Sequence, residues 1–303
     1  INLKKSEAMV ANENPAGAPE YAWYCRGKKL KVVPQYKYLG IWFNWNLDWN
    51  FHIEYMVGKA KKRTASMLKL LANSRIAVKA KLLVWFSYVR PLLDYGCEVW
   101  DANSSQLKRI ESVQHKAGVL AFKVNEHTSR HAVRALLGCT SLERRHLGYK
   151  LRYLFKLLSM EEKRLTRYVI TLGTSKKIRK GPGNKHWISV VQSIIKEDDA
   201  LDVGYKKLLE AAGRNGGTVP TEPEWLDESC VLHHRKERED RVESWIHKGE
   251  IEEVKQRSQE PRSTLLLIAK TMDGVDRVPK YPLAKATNVM GSIRARLQAG
   301  TVG

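Results

Sequence analysis

Between Asp48 and Leu158 apolar residues return every three or four positions, a period that suits helices packed side by side and does not suit strands. Ile53, Met56, Val57, Ala60, Met67, Leu68 and Leu71 fall on one such stripe, so a first helix is predicted from Asp48, which can cap it, to about Asn73. A second is predicted from about Ile76 toward Trp100, where Pro91 must kink or split it, because its ring clashes and it lacks an N–H. A third starts at Ser104 or Ser105 and carries Leu107, Ile110, Val113, Ala117 and Leu120. Ser129 to Leu137 makes a fourth, closed by Gly138. Thr140-Ser-Leu-Glu143 has the spacing of a capping box and opens a fifth, with Leu147, Leu151, Leu154, Phe155 and Leu158 facing a core.

The first 45 residues carry a different pattern. Leu3–Val10 is a strand candidate, and Tyr21–Cys25 and Leu30–Val33 flank a hairpin signal, Arg26-Gly27-Lys28-Lys29. Tyr36–Phe43 follows as a third extended piece, interrupted at Gly40. Past residue 172, the string GTSKKIRKGPGN reads as a linker, and further helices are predicted at Trp187–Lys196, Leu201–Ala212, Glu222–Lys248 and Ala284–Gln298. The expected fold class is therefore mainly α with a small N-terminal antiparallel β element. Its expected divisions are 1–45 (β), 46–172 (helical), 173–186 (basic linker) and 187–303 (helical extension).

Charge narrows the function classes. The 53 Lys and Arg against 32 Asp and Glu give a net +21, a balance that favours polyanions, since each neutralised phosphate releases condensed counterions. Between Val57 and Arg90 the chain carries no Asp or Glu at all. Lys59, Lys61, Lys62, Arg63, Lys69, Arg75, Lys79 and Lys81 all fall in that stretch; Arg144 and Arg145 extend the argument further along. The four cysteines are widely spaced and form no CxxC pair, which suits a reducing, intracellular setting and gives no zinc knuckle. No metal site is readable: His127 and His131 need not share a face, since Ser129 caps a helix between them, and Cys230 with His233 and His234 lacks further ligands at zinc spacing. No apolar run reaches membrane-spanning length, so no membrane partner is expected. Gly181-Pro-Gly183-Asn-Lys185 has neither the spacing nor the Ser/Thr of a Walker loop.

Three stretches, in order, carry a family resemblance. Asn2-Leu-Lys-Lys5-Ser6-Glu7-Ala-Met9 is similar to the N-x-x-K-[ST]-x-x-M segment of non-LTR (LINE-type) retrotransposon reverse transcriptases. Tyr36-Lys37-Tyr38-Leu39-Gly40 resembles their primer-grip segment. His52-Ile53 through Val57, Lys59–Lys62, Tyr88-Val-Arg90-Pro91 through Trp100, Glu111–Ala117, Ala135–Gly138 and Ser141–Arg145 resemble the helical region that follows the palm.

The resemblance implies a helical, thumb-like bundle following a partial reverse-transcriptase palm. It makes Tyr38, Leu39 and Gly40 a primer grip and Lys5 a lysine near the incoming nucleotide's phosphates; a glycine bulge and a solvated lysine are the plain alternatives. RNA template and DNA primer are the implied partners, and the nucleus is the implied compartment. The family's catalytic aspartates belong N-terminal to Ile1, in a missing polymerase portion. Asp198-Asp199 sits in a polar helix end instead of a tight turn between strands. The parent enzyme would be an RNA-directed DNA polymerase using Mg2+, whereas this chain alone is expected to bind no cofactor and to be inactive. Ser292–Gly300 resembles the approach to the CCHC motif in which such elements often end. The alternative is a stand-alone, non-enzymatic nucleic-acid-binding protein derived from a decayed or repurposed element. Trp42, Trp45 and Trp49 are read as anchoring a helix to the preceding strands, in preference to stacking on bases.

Overall fold

A computed structural model describes residues 6–11, 22–160, 164–167, 169–170, 187–196 and 228–259 of the chain. Outside them lie Lys5, the 173–186 linker, Asp198-Asp199, the helices expected at 201–212 and 284–298, and the 292–300 segment, as do the side chains of Cys230, His233 and His234.

The described chain is mainly helical, with a small β region at its start. Strands β1 (Glu7–Ala8), β2 (Tyr24–Cys25), β3 (Lys28–Lys29), β4 (Lys31–Val32), β5 (Gln35–Tyr38) and β6 (Ile41–Asn44) come first. Helices α1 (Asn50–Ser66), α2 (Leu68–Ala72), α3 (Val78–Tyr88), α4 (Arg90–Asp94), α5 (Ser104–Phe122), α6 (Arg130–Leu137), α7 (Leu142–Leu158), α8 (Trp187–Lys196) and α9 (Glu228–Ser258) follow.

The β region differs in detail from expectation. The first hairpin is tighter: β2 pairs antiparallel with β3 across Arg26-Gly27 alone, both at positive φ (49° and 75°), while β4 pairs in parallel with β1. Tyr36–Phe43 is not one interrupted strand but a second hairpin. β5 and β6 fold back in the register Lys37↔Trp42 and Tyr38↔Ile41. Leu39 and Gly40 form the turn at φ 47° and 89°, the pair of left-handed residues that lets a two-residue turn match strand twist. The Tyr95 hydroxyl donates to the Leu39 carbonyl at 2.6 Å, and a Cβ on Gly40 would sit 3.0 Å from Tyr95 Cε1. Gly40 thus serves a turn with a close neighbour, not a bulge.

The helix ends follow local chemistry. The expected first helix breaks at Met67, where the Ser66 hydroxyl donates to the Arg63 carbonyl at 2.8 Å and competes for the backbone ladder. Asp48 does not cap α1 from the N-cap position, which is Trp49; it accepts instead from the Asn50 N–H at 3.0 Å. Pro91 opens α4 and so splits the second expected helix in two. Asn103 caps α5 in a reciprocal capping box with Gln106. Gly138 closes α6 at φ 60°, and the Ser141 side chain, one residue past Thr140, caps α7.

Two apolar clusters hold the helices together. One joins α1 to α6 around Trp85, Leu93, Trp100, Ile110 and Leu142. The other packs Leu151, Leu154 and Phe155 of α7 against Val191 and Ile195 of α8 and Val242 of α9. Ile251 and Val254 of α9 also enter the first cluster, so this helix from far along the chain completes the bundle. Polar ties reinforce it: Arg134 donates to Glu250 at 2.7 Å, and the second Glu250 oxygen accepts from the Ser141 N–H at 3.0 Å. Glu111 accepts from the Leu142 N–H at the same helix start.

Stability should vary with pH in a way these buried groups set. Burial, with Lys37 nearby, lowers His52 to about 4, and burial beside Arg134 lowers His131 to about 4. The unfolded chain takes up protons at the ordinary 6.5, so stability present above that value is lost as pH falls from 6.5 toward 4. Glu111 works in the opposite sense. Burial raises it from 4.5 to about 7, so its contribution is present below 4.5 and lost as pH rises through 7. Urea unfolding of Glu111→Gln should therefore gain on the parent as pH rises from 5 to 8; a constant difference would contradict this. Gly40→Ala should cost about 1–2 kcal/mol through the left-handed turn, and Tyr95→Phe about 1 kcal/mol through the lost hydrogen bond, both measured by urea unfolding.

Candidate nucleic-acid interface

Helix α1 has one buried stripe, and its cations lie off that stripe. His52, Ile53, Met56, Val57, Ala60 and Thr64 face the core, while Lys59, Lys61 and Lys62 are exposed. Helical spacing puts Tyr55, Lys59, Lys62 and Arg63 along one flank, with Lys61 on the other beside Glu54. Glu54, the one acid within α1, pairs with Arg109 of α5 at 2.7 Å on the surface.

The hairpin adds a cation that the helical pattern does not contain. Lys37 lies opposite Trp42 in the ladder, its ammonium 5.7 Å from the Trp42 ring centroid and 3.2 Å from the Tyr55 hydroxyl. Lys59 sits 5.0 Å from the Tyr55 ring centroid on the other side. A phenol is thus held between two ammoniums. They favour its anionic form, so Tyr55 titrates below the ordinary tyrosine range, hydrogen bonding to Lys37 being the largest cause. Further along, Arg63 stacks over Tyr88 of α3 with its guanidinium 4.1 Å from the ring centroid.

Aromatic packing fixes this edge to the bundle. Trp42 meets Phe51 and Tyr55 edge-on at 5.1 and 5.9 Å. Phe43 meets Trp49 at 5.7 Å, His52 meets Trp100 at 5.9 Å, and Trp100 meets His146 of α7 at 5.2 Å. The backbone N–H of Trp42 donates to His52 Nδ1 at 3.4 Å. Trp42, Trp45 and Trp49 are all half-buried, and Trp42 and Trp49 join the hairpin to α1.

The expected phosphate-binding set divides in two. Lys69 on α2, Arg75 before α3 and Lys79 on α3 are exposed, as are Lys59, Lys61 and Lys62, and Arg63 is half-buried. Three others do not belong on an outer face. Lys81 is 2% exposed, because its place on α3 points it into the bundle. Arg145 donates to Asp94 at 2.7 Å and to the Tyr149 hydroxyl at 2.5 Å, an internal tie between α4 and α7. Burial resists ionisation of Asp94, but His146 and Arg145 beside it hold its carboxyl below the usual carboxylate range. Arg144 packs under α9, its guanidinium 5.5 Å from the Trp245 ring centroid and hard against Gly249. Consecutive arginines at a helix start look alike in sequence; the α9 helix that covers one of them is far away in the chain.

Tyr38 and Leu39 are exposed at the hairpin tip, at 58% and 72%. Lys37 and Tyr55 are the residues that pattern reading missed. The strand alternation that sets Lys37 apart from Tyr36 and Tyr38 was visible, but its meeting with Tyr55 depends on how the hairpin docks. His131 is tied to Glu253 at 3.4 Å and to Arg134 at 2.9 Å, whereas His127 is exposed. Among the described residues no group of three or more His, Cys, Asp or Glu is placed to hold a metal ion. No described helix is long and apolar enough to cross a membrane.

No family model matches the chain, and no solved structure matches it. Over 82 residues it is 33% identical to a nematode protein, "Uncharacterized protein B0403.1" of Caenorhabditis elegans. That match takes in 27% of this chain and 40% of that protein, so the chain spans two fifths of the length of the relative it matches.

Proposed function

We propose that this chain is the palm-end and thumb side of a non-LTR retrotransposon reverse transcriptase, and that it grips the sugar–phosphate backbone of template and primer. The observation that carries the binding part of this reading is the α1 edge. Exposed Lys59, Lys61 and Lys62 stand in a stretch without acids, and Lys37, Tyr55 and Lys59 gather two ammoniums and a hydroxyl at one spot. A phosphate oxygen there would accept from both ammoniums and from the phenol. Such contacts position a backbone and carry no sequence information. The exposed turn at Tyr38, Leu39 and Gly40 lies at the end of the same hairpin, where a primer grip belongs in the family the sequence resembles.

In this reading RNA template and DNA primer are the partners and the nucleus is the place of action. The Mg2+-dependent chemistry belongs to aspartates of the parent polymerase that this sequence does not include. Primer extension by this chain alone, with Mg2+ supplied, should give no incorporation, and any incorporation would overturn that assignment.

Binding to an RNA–DNA hybrid should weaken steeply with salt. Replacing Lys59, Lys61 and Lys62 together by Ala should lower affinity by a similar factor for unrelated sequences, and flatten the log–log salt slope by roughly 2.7, at about 0.9 per lost contact. A sequence-selective loss, or an unchanged slope, would count against backbone binding. Affinity should also fall with rising pH before the ordinary tyrosine range is reached, because an ionised Tyr55 neutralises part of the seat. Tyr55→Phe should remove that step from the binding profile, while persistence of the step would assign it elsewhere.

A further inference from the structure

A groove of about 640 Å3 opens between α3, α7 and α9, and it is separate from the α1 edge. Lys79, Leu83, Phe86 and Arg90 line one wall at successive turns of α3 and the start of α4. Tyr88, which meets Arg63 of α1, comes two residues after Phe86, about 200° further round the helix. α3 therefore presents one side to the α1 edge and nearly the opposite side to the groove. Arg152, from α7, lies on the facing wall.

The lining mixes cations with apolar surface and holds one carboxylate, Glu243 of α9, which lies 3.7 Å from His247 on the same helix. Among the described residues neither Lys79 nor Arg152 has an acidic partner, whereas Arg145 is committed to Asp94. Arg90 lies over Phe86 with its guanidinium 4.5 Å from the ring centroid and 4.0 Å from Asp94, and Arg152 lies 6.0 Å from the Tyr149 centroid. Leu83 is 65% exposed at the mouth. Cations spaced along apolar and aromatic surface suit a strand whose bases are unpaired, since phosphates take the charges and base faces take the rest. Size selects between forms of nucleic acid. Recesses of roughly 300–1,000 Å3 enclose one small molecule, so this one takes about one or two nucleotides and not the body of a duplex.

We propose that the α3–α7–α9 groove holds an unpaired strand of nucleic acid, a site that extends the backbone-binding reading of the α1 edge and rests on it for the nature of the ligand. In that arrangement the chain contacts duplex on one side of α3 and single strand on the other.

The test uses the full chain, a short oligouridylate and an RNA–DNA hybrid duplex, with anisotropy read across a salt series. Arg152→Ala should weaken oligouridylate binding about threefold and flatten its slope by roughly 0.7, at about 0.7 per single-strand contact, leaving hybrid affinity as in the parent. Leu83→Glu, at an exposed position outside the core, should weaken the oligouridylate alone, so a folding defect in the Arg152→Ala variant cannot stand in for the effect. The Lys59, Lys61 and Lys62 variant should show the reverse selectivity. If it leaves hybrid binding intact while the groove variants still lose the oligouridylate, the α1 reading fails and the groove stands. Equal losses for both ligands in the groove variants, no loss for either, or displacement of the oligouridylate from the groove by polyglutamate at equal phosphate and carboxylate concentration, would overturn the proposal.

Discussion

The burial of Trp100 is the contact on which the rest of the structure depends. Its indole is 1% exposed, lies between the imidazoles of His52 in α1 and His146 in α7, and donates from Nε1 to the Tyr95 carbonyl at 3.1 Å. Tyr95 in turn holds the hairpin tip through Leu39. One side chain thus links the β hairpin, the first long helix and α7, segments that lie far apart in the chain. A helix that crowds lysines on its outer edge gains nothing from mutual repulsion there. It is held in place from behind, by a buried edge rich in aromatic contact area.

The cations of this protein do two different things, and burial tells them apart. Arg134 and Arg145 are paired with carboxylates inside the bundle, and Lys150 reaches Asp101 at 2.6 Å. Removing one partner of such a pair strands the other charge, so these side chains specify the packing of α4, α6, α7 and α9. Lys37 and Lys59 instead flank a tyrosine, and with Lys61 and Lys62 they meet solvent. A basic surface of that kind gives long-range attraction for polyanions as well as contact.

Much of this was legible in the sequence, and the limits have physical causes. The helix start at Ser104, the split at Pro91 and the stop at Gly138 rest on local backbone chemistry, which sequence displays directly, whereas the cap of α7 falls on Ser141, one residue past the Thr140 that the capping-box spacing picked out. The break at Met67 escaped because a serine hydroxyl, not a glycine or proline, competes for the helix ladder there. The hairpin at Leu39-Gly40 was read as an interrupted strand because leucine seldom adopts a left-handed conformation. Lys81, Arg144 and Arg145 carried the same signal as their exposed neighbours. Which of them face solvent is set by α9 and by the rotation of α3, both products of tertiary packing. The Lys37–Tyr55–Lys59 cluster and the α3–α7–α9 groove are likewise juxtapositions of distant segments, with no signature in any one of them.

The central claim, that the α1 edge is where this chain meets nucleic acid, is tested most directly by lysine acetylation footprinting with and without an RNA–DNA hybrid duplex, read by mass spectrometry. Lys37, Lys59, Lys61, Lys62 and Lys69 should be protected by the hybrid, while exposed Lys116 and Lys156 on other helices keep their reactivity. Equal protection at all of these lysines, or none at the α1 edge, would contradict the account.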